Sequence, residues 1–213
     1  MKLYTSPLNT AALQVRIALH YKGMAYEEEQ VMLDHRTGDP VQRQFLQLNP
    51  EGKVPILVDG QRVLRQSLAI MEYLDESYPS MPALLPGNNR DRNRIRALSQ
   101  LIACDIAPLT CTRNLRHMEN ELGLEDERIS AWRNHCLHRG MAALEALMED
   151  NPASHVYSHA DIPSMADVCL TAQFYPLEQI HAAEERYPTI SRIYHTCLEL
   201  PAFSEAIARH GFA

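Results

Sequence analysis

Apolar positions along the first 78 residues change period several times. Leu3-Tyr4 reads as a strand, and Leu13, Ile17 and Ala18 recur at helical spacing between Thr10 and Tyr21, with Gly23 as a stop. Tyr26 to Leu33 alternates in part and predicts a second strand. Residues 34–48 carry Gly38 and Pro40, then Val41, Phe45 and Leu48, which predicts a loop and a short helix. Ile56-Leu57-Val58 is an apolar run, Asp59-Gly60 predicts a type I′ turn, and Val63-Leu64 returns as its partner strand. Ser67 then opens a helical pattern through Leu68, Met71 and Leu74, and its hydroxyl makes it the predicted N-cap. The order β-α-β-α-β-β-α predicts helices packed over a mixed sheet.

Beyond this point the texture changes. Pro79, Pro82, Pro86 and Gly87 mark a linker, and the period afterwards is helical throughout. Ile95, Leu98, Ile102, Ile106 and Leu109 are expected to share one face, as are Ile129, Trp132, Cys136, Leu144 and Leu147 on a later helix. Ser164-Met165-Ala166-Asp167 is a capping-box pattern ahead of the apolar Val168, Leu170 and Ala172, so Asp167 is expected to be structural. The predicted boundaries are an α/β domain over residues 1–78, a linker over 79–89 and an all-helical domain over 90–213.

Composition removes several function classes. The chain has 213 residues, a formal net charge of -7 and 46% hydrophobic residues, and it contains no apolar run of the ~20 residues a membrane span needs. Met1-Lys2-Leu3-Tyr4 leads straight into a strand pattern with no signal-peptide segment, which predicts a cytoplasmic protein. No basic cluster of the kind nucleic acid requires is present. Arg90, Arg92, Arg94 and Arg96 alternate along a helix start and are expected on a solvated face. Cys104, Cys111, Cys136, Cys169 and Cys197 are odd in number and form no CxxC, so reduced, structural thiols are expected, and a disulfide reductase of thioredoxin type is disfavoured. The ten histidines lack metal-ligand spacing, and no metal is expected.

The chemistry is concentrated around Val54-Pro55 and Gln66-Ser67. A proline at a strand start gives no N–H to the ladder and admits a cis bond. A serine at a helix start offers a hydroxyl beside free backbone N–H groups, an anion site. A strand edge beside a carboxylate-binding helix start is suited to grasping a peptide. Asn49-Pro50-Glu51-Gly52-Lys53-Val54-Pro55-Ile56-Leu57 with Gln66-Ser67-Leu68-Ala69-Ile70-Met71-Glu72-Tyr73-Leu74 resembles the glutathione-binding half of the cytosolic glutathione transferases. The resemblance runs from Met1 to about Phe203 and implies a thioredoxin-like N-terminal domain and an all-α C-terminal domain. It implies further that Val54 pairs by backbone with the cysteinyl unit before the cis-proline Pro55. Gln66 and Ser67 would hold the γ-glutamyl end, with Lys53 and His35 as candidates for the glycyl end.

Val15-Arg16-Ile17-Ala18-Leu19, Arg94-Ile95-Arg96-Ala97-Leu98 and Cys104-Asp105-Ile106-Ala107-Pro108-Leu109 make the chain most similar to the zeta class. The class chemistry is glutathione-dependent cis–trans isomerisation of maleyl keto acids. It needs a donor that stabilises a thiolate and a cationic or N–H-rich pocket for the substrate carboxylates. Where the class carries Ser-Ser-Cys, this chain has Asn9, Thr10 and Ala11. Thr10, with Asn9, is the first candidate to face the sulfur, against a plain N-capping role for Thr10; Ser6 and Tyr4 are weaker candidates. After Pro108-Leu109 the class carries Gln-Asn and this chain has Thr110-Cys111. Cys111 and Arg113 are the candidates for the substrate side, Arg113 because a guanidinium pairs a carboxylate in bidentate fashion. Ala107 and Gln179 occupy other family pocket positions.

The resemblance thus implies an enzyme with glutathione as cofactor. Its reaction would be isomerisation of maleylacetoacetate or maleylpyruvate, or conjugation of glutathione to a small electrophile. The protein would be a homodimer that engages neither nucleic acid nor membrane. The missing Ser-Ser-Cys keeps a second reading open, a non-catalytic glutathione-binding or regulatory protein on the same fold.

Overall fold

The computed structural model describes residues 1–7, 9–31, 40–149, 151–178 and 185–209. The chain divides into two compact units, Met1–Pro86 with Leu198–Ala213, and Gly87–Cys197. Residues 79–86, expected as linker, and 198–213, expected in the helical domain, therefore both belong to the first unit.

The first unit holds β1 (Lys2–Thr5), α1 (Thr10–Tyr21), β2 (Glu27–Gln30), α2 (Pro40–Leu48), β3 (Ile56–Asp59), β4 (Arg62–Arg65) and α3 (Ser67–Ser77). This is the expected order. The sheet runs β2-β1-β3-β4, with β1 and β2 parallel and the other pairs antiparallel. Side chains alternate across it as a pleat requires. Leu3 and Leu57 pack with Val15 and Leu19 of α1 and with Ile70 and Leu74 of α3. Ile56 faces the other way, into a cluster with Phe45 of α2, Val31, Val54 and Ala12.

The β2 strand contradicts its partial alternation, since Glu27–Gln30 contains no apolar residue. It survives as an edge because Glu28 accepts hydrogen bonds from Arg16 Nε (3.1 Å) and Thr5 Oγ1 (3.0 Å), and Arg16 is almost fully buried. The hairpin also differs from expectation. Asp59 pairs with Arg62, so the turn residues are Gly60 and Gln61, and only Gly60 has positive φ, +59°. Positive φ at the first turn position alone is the type II′ pattern.

Residues 79–86 are held by a buried ion pair. Lys22 Nζ lies 2.9 Å from Asp75 Oδ1 and 3.0 Å from the Pro82 carbonyl. Asp75 accepts the backbone N–H groups of Leu84 (2.7 Å) and Leu85 (2.8 Å) as well. The carboxylate thus accepts from three donors, which is what makes an enclosed charge tolerable.

The second unit holds α4 (Asn89–Gln100), a π-helical segment (Leu101–Ile106), α5 (Ala107–Thr110), α6 (Thr112–Asn120), α7 (Asp126–Met148), α8 (Met165–Glu178) and α9 (Pro188–Leu198, its last residue counted with the first unit). A final helix, α10 (Pro201–Ala208), belongs to the first unit. Asn88 and Asp91 form a full capping box at the start of α4, with the Asn88 cap inside the expected linker and Asp91 just beyond it. Among the described residues no helix is long and apolar enough to cross a membrane.

Four expectations about side-chain placement are corrected. Leu109 is 44% exposed, because the wider π turn before it rotates the helical phase. Trp132 and Leu147 are exposed, the buried stripe of α7 being centred on Leu137, Met141, Leu144 and Met148. Arg94 leaves the solvated face: its guanidinium donates to the Ser158 carbonyl (2.6 Å) and to Ser154 Oγ (2.7 Å), pinning the loop ahead of α8.

Asp167 is fully buried, as a structural residue should be, though its box is closed differently from the pattern. It accepts Ser158 N–H (2.7 Å), Ser164 N–H (2.8 Å) and the Ser164 hydroxyl (2.8 Å). Ser164 therefore donates to the acid rather than accepting from the helix. Burial pushes the Asp167 carboxyl up, and these hydrogen bonds oppose the rise.

Candidate functional site

The corner before β3 is built from its own backbone. Asn49 is buried; its Oδ1 accepts Glu51 N–H (3.2 Å) and its Nδ2 donates to the Lys53 carbonyl (2.8 Å). An asparagine that folds its side chain onto the next turn is a standard turn device. Gly52 stands at φ +62°, a conformation glycine adopts without steric cost. The chain then enters β3 through a cis Val54–Pro55 bond. Val54 and Pro55 are buried, while Lys53 is exposed. The Val54 N–H and C=O make no hydrogen bond to any described residue, leaving one donor and one acceptor of strand edge to pair with an extended ligand.

The start of α3 lies across the hairpin from this corner. Ile56 pairs with Arg65, and Gln66 follows at once. Arg65 turns back and donates from Nε to the Leu48 carbonyl (3.0 Å), closing the C-terminus of α2. Gln66, not Ser67, is the N-cap of α3, and its side chain makes no cap hydrogen bond. Ser67 is instead the first helical residue, 7% exposed, and its hydroxyl bonds to no described residue.

Ser67 is not the cap because Gln66, at φ +68°, already leaves the strand, so the helix begins one residue earlier than a serine cap would have it. Such a backbone costs about 1–3 kcal/mol and concentrates where ligands are clamped. The result is a helix start with uncapped N–H groups, the Ser67 hydroxyl and the positive end of the helix dipole together. Gln66 Nε2 meanwhile lies 3.1 Å from both carboxylate oxygens of Glu51. Asn49 and Glu51 lie inside the motif that carries the resemblance, but neither was among the candidate site residues. The Asn49-Pro50 turn signal was available for Asn49; nothing in the sequence announced that Glu51 would meet Gln66.

The start of α1 borders the same end of the sheet, since Ala12 packs in one cluster with Val54 and Ile56. Asn9 is the N-cap, its Oδ1 accepting Ala12 N–H at 2.9 Å. Thr10 is the first helical residue, half-buried, and its hydroxyl bonds to no described residue. Tyr4, half-buried, lies against Phe45 with their rings tilted by 51° at 6.3 Å, on the margin of the core cluster that holds Phe45. His35 and Gln179 lie outside the described residues.

Cys111 and Arg113 belong to the second unit. Cys111 is the N-cap of α6, with Sγ 3.3 Å from the Pro108 carbonyl, and Arg113 is exposed on that helix. Cys169 and Cys197 are fully buried, and burial drives both thiols well above the ordinary range, so they stay protonated and inert.

Residues 1–76 match the family described as "Glutathione S-transferase, N-terminal domain". The probable maleylacetoacetate isomerase of Vibrio cholerae is 38% identical over 204 residues, 96% of this chain and 94% of that one. A maleylpyruvate isomerase of a Ralstonia species is 37% identical over 206 residues, 97% of this chain and 96% of that one. Among solved structures, a maleylacetoacetate isomerase of Methylobacterium extorquens AM1 with bound malonate and glutathione superposes with a TM-score of 0.89. It is 36% identical, over 97% of this chain and 95% of that one.

Proposed function

The chain belongs to the zeta class of the cytosolic glutathione S-transferases, and on that premise we propose that it is a glutathione-dependent isomerase of a maleyl keto acid. One local arrangement carries the reading. The uncapped start of α3, with the Ser67 hydroxyl, lies beside a cis-proline corner where the Val54 N–H and C=O pair with no described residue.

The roles divide by chemistry. The N–H groups of the first turn of α3 and the Ser67 hydroxyl receive the γ-glutamyl carboxylate, with Gln66 beside them for the rest of that head. Val54 pairs with the cysteinyl backbone, Pro55 holds the corner in shape and Lys53 faces the glycyl end. Glutathione, when bound, would supply a thiolate for reversible addition to the maleyl double bond, with no net transfer of atoms. Thr10, with the Asn9 amide, donates to the sulfur and favours its ionised form. Arg113 pairs a substrate carboxylate and Cys111 borders it. The protein works as a cytoplasmic homodimer.

A second reading, a non-catalytic glutathione binder, is favoured by one observation: Ala11 stands where the class carries the cysteine of Ser-Ser-Cys. Calorimetry with glutathione, followed by a spectrophotometric assay on maleylacetoacetate and maleylpyruvate, separates the two. Glutathione-dependent conversion to the fumaryl isomer is expected. Ser67→Ala should raise the glutathione Kd about tenfold or more, the weight of a hydrogen bond to a charged group. Binding without turnover would move the assignment to the second reading, and absence of binding would remove both.

A further inference from the structure

The Gln66 side chain makes no cap hydrogen bond to its helix, and what it does instead has a chemical consequence. Its Nε2 sits at 3.1 Å from each oxygen of the Glu51 carboxylate. The opposite orientation would set an amide oxygen against two carboxylate oxygens, acceptor against acceptors. Glu51 therefore fixes the amide with its NH₂ toward the loop and Oε1 turned away. Left alone, a glutamine offers a donor or an acceptor with equal ease; held this way it offers an acceptor. The first turn of α3 and the Ser67 hydroxyl beside it supply donors.

Donors next to a fixed acceptor, with a carboxylate one contact behind, match a zwitterionic α-amino acid head. The ligand carboxylate goes to the helix start and its ammonium to Gln66 Oε1. We propose that Glu51 is a positioning residue that sets the Gln66 amide and so makes the site select for the free α-ammonium of the γ-glutamyl group. The inference rests on the glutathione reading and deepens it.

The test measures binding of glutathione and of its analogue lacking the α-amino group, to the wild-type protein, Glu51→Gln and Glu51→Ala. The wild type should prefer glutathione. Both variants should lose about three- to tenfold of that preference through weaker glutathione binding, with the analogue unchanged, the size expected for an exposed charge-assisted contact. In the Gln66→Ala background, replacing Glu51 should change the preference no further. In the ligand-free protein, the Gln66 side-chain amide resonances should shift on Glu51→Gln. Folded variants that keep the wild-type preference, or that weaken both ligands equally, would overturn the proposal while leaving the glutathione reading standing. A wild type that binds neither ligand would sink that reading, and this proposal with it.

Discussion

Asn9 and Thr10 are adjacent, and the helix start separates their work. Either could have capped α1 from sequence alone. In the structure Asn9 takes the cap through Oδ1, which leaves the Thr10 hydroxyl uncommitted among the described residues and the Asn9 Nδ2 as a second donor. The two should then respond differently to substitution. Thr10→Val, nearly isosteric, is expected to lower kcat roughly ten- to a hundredfold, as loss of a hydrogen bond to a charged group does, with glutathione affinity little changed. The sign in pH follows. A lost donor to a thiolate raises the thiol pKa, so the rising limb of the rate profile moves to higher pH. Asn9→Ala should in addition cost about 1 kcal/mol of stability through its cap. Unchanged turnover and an unmoved pH limb in Thr10→Val would remove the threonine from the sulfur.

At the scale of elements, periodicity located the helices and strands but misjudged which faces they bury. The reason is visible in the second unit. A run of π-helix between α4 and α5 changes the angular step per residue, so a stripe extrapolated from Ile95 through Ile106 carries Leu109 into solvent. The same segment explains a glycine that no pattern singled out. A Cβ on Gly140 of α7 would lie 2.3 Å from Ile106 Cγ1 and 2.7 Å from its Cδ1. The two helices approach this closely because position 140 has no side chain. Gly140→Ala should destabilise the protein by about 1–3 kcal/mol in denaturant unfolding, the usual cost of overpacking. Pairing it with Ile106→Val should recover part of that loss, since residues in contact couple. Additive effects in the pair would deny the contact. Local chemistry was easier to read than facing. A proline at a strand start, a hairpin turn and a serine near a helix start are each written within a few residues. The Glu51–Gln66 contact joins positions fifteen apart through a positive φ at Gln66 that side-chain type does not advertise.

At the scale of the whole chain, composition marked a change of texture near residue 80 and could not say which pieces pack together. Proline content suggested a linker where the Lys22–Asp75 pair holds residues 82–85 against the first unit. Helical period assigned the last residues to the helical domain, although α10 packs on α1. Pattern carries the type of an element, while partnership depends on contacts far apart in sequence. Here the contacts are specific: Tyr21 meets Phe203 edge-on at 6.3 Å, and Phe203, Ala206 and Ile207 are buried. At about 1.5–3 kcal/mol for each large side chain removed from water, Phe203 and Ile207 account for several kcal/mol, a large share of a typical domain's stability. A fragment of residues 1–86 should therefore melt without a cooperative transition and bind a hydrophobic dye. Fusing residues 198–213 to its end through a flexible linker should restore a sigmoidal melt, and Phe203→Ala in the fused chain should abolish it again. A sharp transition in the 1–86 fragment by itself would show that α1 is stable without its C-terminal cover.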